Sequence, residues 1–474
     1  LAEKLGLKVF PKQWNDLKMQ CSCPDWAVPC KHLASVIYKV SSEIDNNPFL
    51  VFSLHNVDLL QELNKMGIVI HRENMEIPKI KNLFFDKNQQ KKKFNPEDAY
   101  RKLSFTGLTP LHEPLTSLLT PFPAFYTASE SDFQEKYRNH LNRVVKNTQR
   151  AANGKIPLPE FFSEVYRDDQ FIGHHSENTI TLNDTLQAQV WVDKQNYSVP
   201  EFFQQLSQIQ GARTNDYQPS TAALHTALSL AIQLVANGAI VPQIVQLPGK
   251  DYAIRWLPAL LSPEVKKLVN ELENILLPDI FYLQEGTKLK SINREPAVHV
   301  LSLFITEIVR LLSYPANADH FERLFFRAVT YPFTLPGEEA LAGGILSWLQ
   351  KFFITSGRFK PMLIVEETWN DQFRLRIKVR DMDNNLDEGI SLSKILSNPE
   401  FGEHRFEILQ TLAQLSSFIS GLDDYINASG EKELLMDSRT FTPFLMEIIP
   451  AIRLLDITVV LPKSLQAIIR PKAS

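Results

Sequence analysis

Every cysteine in this 474-residue chain falls between positions 21 and 30: Cys21, Cys23 and Cys30, followed at once by His32, in the string C-S-C-P-D-W-A-V-P-C-K-H. Three thiolates and one imidazole are the donor set of a closed tetrahedral zinc site. In an extended segment, side chains at i and i+2 share a face, so Cys21 and Cys23 can grip one ion. Pro24 and Pro29 break regular structure between the two ligand pairs and favour a loop that folds back. Cys30 and His32 then open a helix-like run, K-H-L-A-S-V-I-Y-K-V. With four positions filled, no place is left for water or substrate, so a structural rather than catalytic ion is expected. Three cysteines cannot all pair internally and nothing suggests secretion, which argues against a disulfide framework. Chance clustering of reduced cysteines, or a redox pair, is the competing account; a run this polar and proline-broken fits it poorly.

The pattern C-x-C, a gap containing Trp26, then C-x-H resembles the SWIM zinc finger, and the flanks V-F-P-K-Q-W-N-D-L and H-L-A-S-V-I-Y are similar to that family as well. The resemblance implies a strand–strand–helix (ββα) unit with Cys21, Cys23, Cys30 and His32 as ligands of one zinc ion. The family's members sit in bacterial helicase-like ATPases of the Swi/Snf type, in transposases and in signalling adaptors. Further on, D-N-N-P-F-L-V-F-S-L, Y-A-I-R-W-L-P and V-V-L-P-K-S-L-Q-A-I-I-R-P-K-A-S together resemble the accessory region that precedes the motor in SWIM-bearing bacterial Swi/Snf-type proteins. What this implies is a zinc finger plus accessory domain whose ATPase core begins soon after Ser474, with an amino end at Leu1 that is also cut. The implied partners are nucleic acid, DNA first, or protein through the finger, and the motor of the parent chain. A free-standing zinc adaptor without a motor is the rival expectation.

Net charge is −4, from 54 acidic and 50 basic residues, so any nucleic-acid contact must be local. Apolar residues make up 44% of the chain, enough for a sizeable core, and the length allows two to four domains. No apolar run is read as reaching the ~18 residues of a membrane helix, and no signal peptide opens the sequence. With reduced cysteines, a cytoplasmic location is expected.

Three segments are expected. Residues 1–44 form the finger, with six lysines (Lys4, Lys8, Lys12, Lys18, Lys31, Lys39) against four acids. So small a unit needs the ion for much of its folding energy. Residues 45–130 form a connector. Its P-F-L-V-F-S-L reads as a short strand, Lys87 to Phe94 as an exposed Lys-rich loop, and its proline-rich apolar end as a docked segment. Residues 131–474 form the accessory domain, as one or two subdomains. Strands and helices alternate there without a regular β-α rhythm, which predicts an α+β fold with mixed or antiparallel sheet. A helix is expected from a Ser220 or Thr221 cap to Asn237-Gly238, with His225 beside its apolar face as a core or boundary residue. A hairpin turns at Pro248-Gly249, and helices run at about 297–312, 318–329 and 338–354.

Two basic faces are candidate nucleic-acid contacts. The helix 131–150 carries Lys136, Arg143, Lys146 and Arg150 on one side and Tyr137, Leu141, Val144, Val145 and Thr148 roughly opposite. In the strand 372–380, Phe373, Leu375, Ile377 and Val379 alternate with Arg374, Arg376, Lys378 and Arg380. Each face has an ordinary reading too: a solvated helix side for the first, and a ladder neutralised by Glu366 and Glu367 of the neighbouring strand for the second.

The sequence holds no G-x-x-x-x-G-K-[ST] phosphate cradle, no G-x-S-x-G elbow and no cysteine outside the finger, so no catalytic residue is assigned and the chain itself is not expected to be an enzyme. Asp387-Glu388 lacks the apolar strand that should lead into a motor's acidic box. Asp381-x-Asp383-x-Asn385 places Leu386 where a calcium loop needs glycine. His174-His175 with Glu177 chelates poorly if the two histidines point to opposite faces of a strand.

Overall fold

The computed structural model describes residues 18–24, 29–46, 51, 77–86, 94–121, 123, 125–126, 132–162, 170–313, 318–334, 338, 341–353, 359–368, 372–381, 389–398, 401, 404–416, 418–428, 430–455 and 457–465. The chain forms two compact units: Leu1–Asn74 with Asn398–Phe406, and Met75–Ser397 with Glu407–Ser474. The expected connector is therefore divided. From residue 77 onward it belongs to the larger unit, where Phe84, Leu115, Leu118 and Phe125 are core residues. The Lys-rich loop lies outside the described residues, as does the short strand expected at 48–54 except for Val51, which is helical.

In the smaller unit the main described element is the helix Lys31–Asn46. Leu33, Ile37 and Val40 lie half-buried along one side, and Lys31, Ser35, Tyr38 and Lys39 are exposed on the other. Residues 18–24 carry no helix or strand. Of the expected ββα unit, the helix is present and no strand is found among the described residues.

The larger unit is α+β. Its first sheet contains β1 (Asn178–Asn183), β2 (Ala188–Val192) and β3 (Gln195–Tyr197) as an antiparallel meander. β4 (Ile240–Gln246) and β5 (Tyr252–Pro258) form a separate antiparallel hairpin. Its turn is the expected one, with Gly249 at φ +82°. β6 (Phe281–Glu285) returns to lie parallel to β1, and β7 (Lys288–Ser291) closes that sheet in the order β3-β2-β1-β6-β7. The second sheet is built on the hairpin of β8 (Phe359–Glu367) and β9 (Gln372–Asp381). β10 (Ile390–Ser391) and β11 (Leu434–Asp437) pair antiparallel with β9, and β12 (Thr458–Val460) pairs parallel with β8. The mixture of antiparallel ladders with two parallel joins is the sheet type that the irregular alternation predicts.

Helices bury the hairpin β4–β5 and knit the unit. The helix Pro219–Ala236 is apolar nearly all round, with Leu224, Ala227, Leu230, Ala231, Leu234 and Val235 fully enclosed. It starts differently from expectation. Gln218 is the cap residue and its side chain makes no capping bond. Pro219 occupies the first turn, where its missing N–H is harmless and its fixed φ is already helical. Ser220 and Thr221 instead accept hydrogen bonds from Asn178, from its backbone N–H (3.1 Å) and its side-chain amide (2.5 Å). By length and composition this 18-residue helix could cross a membrane, contrary to the reading of the bare sequence; 72% of it is buried inside the fold, as in a core helix. The helices Pro296–Leu312, Phe133–Ala152 and His320–Phe326 pack around it and the hairpin. An aromatic cluster fills their seam, with Phe125, Phe133, Phe325 and Trp348 at centroid separations of 5.3 to 6.4 Å. Edge-to-face pairs of this kind add to the burial of the rings themselves.

Candidate metal centre

Cys30 stands just before the helix Lys31–Asn46, and its carbonyl accepts the first helical hydrogen bond, from the Ala34 N–H at 2.9 Å. That makes it the cap residue. Its sulfur takes the place of the usual cap oxygen and accepts from the Leu33 N–H at 3.5 Å. His32 follows within the first turn. Cys21 and Cys23 come from the irregular segment 18–24. The four ligand atoms lie within 4.8 Å of one another, and the Cys21 Sγ to His32 Nδ1 separation is 4.0 Å. A zinc tetrahedron with bonds of about 2.0–2.3 Å has edges of about 3.5–3.8 Å. Movements of about an ångström close the four donors on such an ion. The set contains no carboxylate, and soft thiolates favour zinc-like over hard cations. The site can therefore hold a metal ion, and its residues fit the tetrahedral one.

Cys30 is buried, Cys23 half-buried, and Cys21 and His32 exposed, so the site lies near the surface. The Leu33 amide is the main cause of a lowered Cys30 thiol, brought down to about 7 against the effect of burial, with Cys23, Cys21 and the His32 amide assisting. The thiolate is the form that binds metal. Among the described residues no other cluster of three or more His, Cys, Asp or Glu brings ligand atoms together in this way. His174 and His175 lie in a turn rather than a strand, and His174 Nδ1 is tied to the Asp216 carbonyl at 3.0 Å. The segment 381–388, read from the sequence as neither a calcium loop nor a motor's acidic box, lies largely outside the described residues. His225 is a boundary residue as expected, with Nε2 donating to the Ile209 carbonyl at 3.1 Å.

The two basic faces are placed as follows. On the helix Phe133–Ala152, Arg143, Lys146 and Arg150 are exposed. Lys136 is not part of that open side. It is half-buried, with Nζ 3.2 Å from Asp319, 3.6 Å from Glu322 and above the Tyr126 ring. Partial burial works against its charge, but Tyr126, Asp319 and Glu322 outweigh it and raise its pKa. On β9 the alternation is as expected, with Leu375, Ile377 and Val379 buried. Arg374 pairs with Glu433 at 2.7 Å and with Glu366 at 3.9 Å, and Arg376 pairs with Glu366 at 3.3 Å. Glu367 accepts a short hydrogen bond from Ser464 instead. Lys378 and Arg380, further along the strand, also have interactions.

Two features went unread in the sequence. The Leu33 amide is one, although a helix opening directly after Cys30 fixes where that N–H must point. The other is the Asp319–Glu322 capping box that holds Lys136; its signal, an acid followed three positions later by glutamate, is present in D-H-F-E.

A family profile described as "Domain of unknown function (DUF8276)" matches residues 108–331. The DUF8276-matching span lies in the larger unit and does not include the Cys/His cluster. A 49-residue stretch is 47% identical to "Uncharacterized protein Rv2102" of Mycobacterium tuberculosis (strain ATCC 25618 / H37Rv). That stretch is 10% of this chain and 18% of the relative, so the chain spans under a fifth of the curated protein it matches. No solved structure matches.

Proposed function

We propose that the chain is a non-catalytic recognition and regulatory region of a bacterial Swi/Snf-type helicase-like ATPase, with one structural zinc ion held by Cys21, Cys23, Cys30 and His32. The observation that carries the reading is the convergence of these four donors at the start of a helix. Zinc supplies cross-linking of the irregular segment to the helix. Cys30 orients the first turn, and His32 fixes the helix face that remains outside. That face presents Lys31, Tyr38 and Lys39 at i, i+7 and i+8, all exposed. Cations beside an exposed aromatic ring suit a nucleic-acid strand, by phosphate neutralisation and base stacking. The larger unit docks on the motor and tunes it. The match to a mycobacterial protein supports the bacterial setting, and the reduced cysteines a cytoplasmic one.

The test is binding of single-stranded and duplex DNA to the zinc-loaded chain across a salt series. Two phosphate contacts give a log–log slope of about −2, and Lys31→Glu with Lys39→Glu should abolish it. A flat salt response, or no binding at low salt, overturns the nucleic-acid target. A phosphate cradle and acidic box encoded in frame after Ser474 support the motor, whereas a stop codon there leaves the adaptor reading.

A further inference from the structure

Two cavities in the larger unit, of about 730 and 220 Å³, share one arginine and one histidine in their linings: Arg255 on β5 and His299 on the helix Pro296–Leu312. Arg255 is only 6% exposed. Its Nε donates to Gln243 Oε1 at 2.8 Å across the β4–β5 ladder, and its Nη1 donates to His299 Nδ1 at 3.0 Å. His299 Nε2 donates to the Leu83 carbonyl at 3.2 Å. Burial, and then the charge of Arg255, push His299 down to about 3, so its ring is neutral at physiological pH. Both side-chain acceptors on the guanidinium are therefore uncharged. Among the described residues no carboxylate lies within ion-pair distance of Arg255, and Glu295 acts on it only at longer range.

A buried cation with no counter-charge is an expensive arrangement, and arginine cannot escape it by losing its proton at neutral pH. Five N–H donors meet two acceptors, leaving three to spare. The larger cavity falls within the size range of small-molecule sites. Leu182, Leu186, Leu247, Ile254 and Leu303 make much of its wall apolar. Asp251 and Glu307 also face it, with Glu307 held by Arg310 at 2.7 Å. Two carboxylates in the lining disfavour a multiply charged phosphate, and the one lining guanidinium without a carboxylate partner, Arg255, matches a single negative charge.

We propose that this cavity binds the monoanion of an apolar carboxylic acid, its carboxylate on Arg255 and its hydrocarbon body along the leucine-lined wall. The Arg255 fork can accept a carboxylate in bidentate fashion. Nothing in this assignment depends on the metal centre.

Octanoate is the probe, measured by titration calorimetry and thermal shift on the zinc-loaded chain, beside 1-octanol and inorganic phosphate. Octanoate is expected to bind and to raise the melting temperature. Octanol and phosphate are expected to bind at least about tenfold more weakly, because each lacks one half of the match. Arg255→Met keeps the packing and removes the unpaired charge, so it should fold and lose about tenfold or more in octanoate affinity. Leu303→Trp narrows the cavity without touching the guanidinium, should also lose octanoate binding, and decides the matter even if Arg255→Met fails to fold. The proposal is overturned by an octanoate-blind wild-type chain, by octanol binding as tightly as octanoate, or by undiminished octanoate binding in either folded variant.

Discussion

The Leu33 amide donates to the Cys30 sulfur at 3.5 Å, so the residue that caps the helix is also one of the four candidate metal ligands. A helix amino end carries unsatisfied N–H groups and a partial positive charge. A thiolate placed there satisfies one donor and is itself stabilised. The segment holding Cys21 and Cys23 has no helix or strand of its own, so an ion bound by the four donors would tie it to the helix. Cap and ligand are thus coupled through a single atom, and their energies differ enough to be separated.

Cys30→Ser and Cys30→Ala make that separation. Serine is a good cap but a poor soft ligand; alanine is neither. A cap is worth about 1 kcal/mol, whereas a structural zinc contributes on the order of 10 kcal/mol in apparent binding energy at neutral pH. Both variants should therefore lose the one zinc ion per chain expected of the wild type. Serine should recover only the small helical increment. Elemental analysis of chelator-free protein and far-ultraviolet circular dichroism read the two quantities. Stoichiometric zinc in Cys30→Ala would remove Cys30 from the ligand set.

Asp319 gathers three bonds: from the Glu322 N–H (2.9 Å), the Tyr126 hydroxyl (2.7 Å) and Lys136 Nζ (3.2 Å). Burial alone would raise its carboxyl, but these donors outweigh it and leave it lowered. A lowered acid contributes stability above its unfolded-state pKa and loses it as pH falls through the folded value. Lys136 is raised, so its share is complete below the ordinary lysine pKa and fails only in strong alkali. Asp319→Ala should cost about 2 kcal/mol near neutral pH, through the lost cap and the loss of the closer of the two carboxylates that hold Lys136. That deficit should shrink in acid below the usual carboxylate pKa. Denaturant midpoints of both proteins against pH test it; a deficit constant down to the most acid point would contradict the assignment.

What the sequence revealed was local. The candidate metal ligands span twelve positions, the β9 alternation has a period of two, and the stop at Asn237-Gly238 is a two-residue signal, so short-range chemistry determines each. What it concealed was distant or competitive. Helical spacing groups Lys136 with Arg143, Lys146 and Arg150, yet it is drawn off the open side to Asp319, 183 residues away, and no periodicity reports that. The Arg255–His299 pair joins positions 44 apart by the same kind of contact. At the helix Pro219–Ala236 two start signals compete, and Pro219 prevails because Ser220 and Thr221 are engaged by Asn178. The apolar length of that helix says only that it is buried in something; packing against the rest of the larger unit identifies what.

Gly238 ends that helix at φ +59°, and a side-chain carbon there would meet His112, whose Cα is 3.0 Å from the position it would occupy. Leu111 N–H donates to the Asn237 carbonyl at 2.8 Å beside it, so the two strands of chain cannot separate cheaply. Gly238→Ala combines left-handed backbone strain with a clash against backbone. A loss of about 2 kcal/mol or more is expected. Asn237→Ala, which loses only a side-chain bond to the Gln233 carbonyl, should cost about 1 kcal/mol. Thermal unfolding orders the two; a Gly238→Ala protein as stable as Asn237→Ala would show that the crossing yields.

The β9 row offers a final discrimination. Arg374 and Arg376 both reach Glu366, and Arg374 reaches Glu433 as well, in bridges that are part-exposed. Exposed bridges of this kind are worth at most about 1 kcal/mol, so Glu366→Gln should leave the fold intact. If the chain binds DNA as proposed, their effect on that binding is larger in proportion. A cation already facing a carboxylate gains little from a phosphate, and Arg374→Ala with Arg376→Ala should leave both DNA affinity and its salt slope unchanged. Removing the carboxylate instead frees positive charge on one strand face, and each phosphate newly engaged steepens the slope by about 0.9. Glu366→Gln is therefore expected to strengthen DNA binding at low salt, read by fluorescence anisotropy over a salt series. An affinity lost in the arginine variants would mean that the row touches DNA despite its carboxylates, and would move the proposed nucleic-acid surface from the helix Lys31–Asn46 to β9.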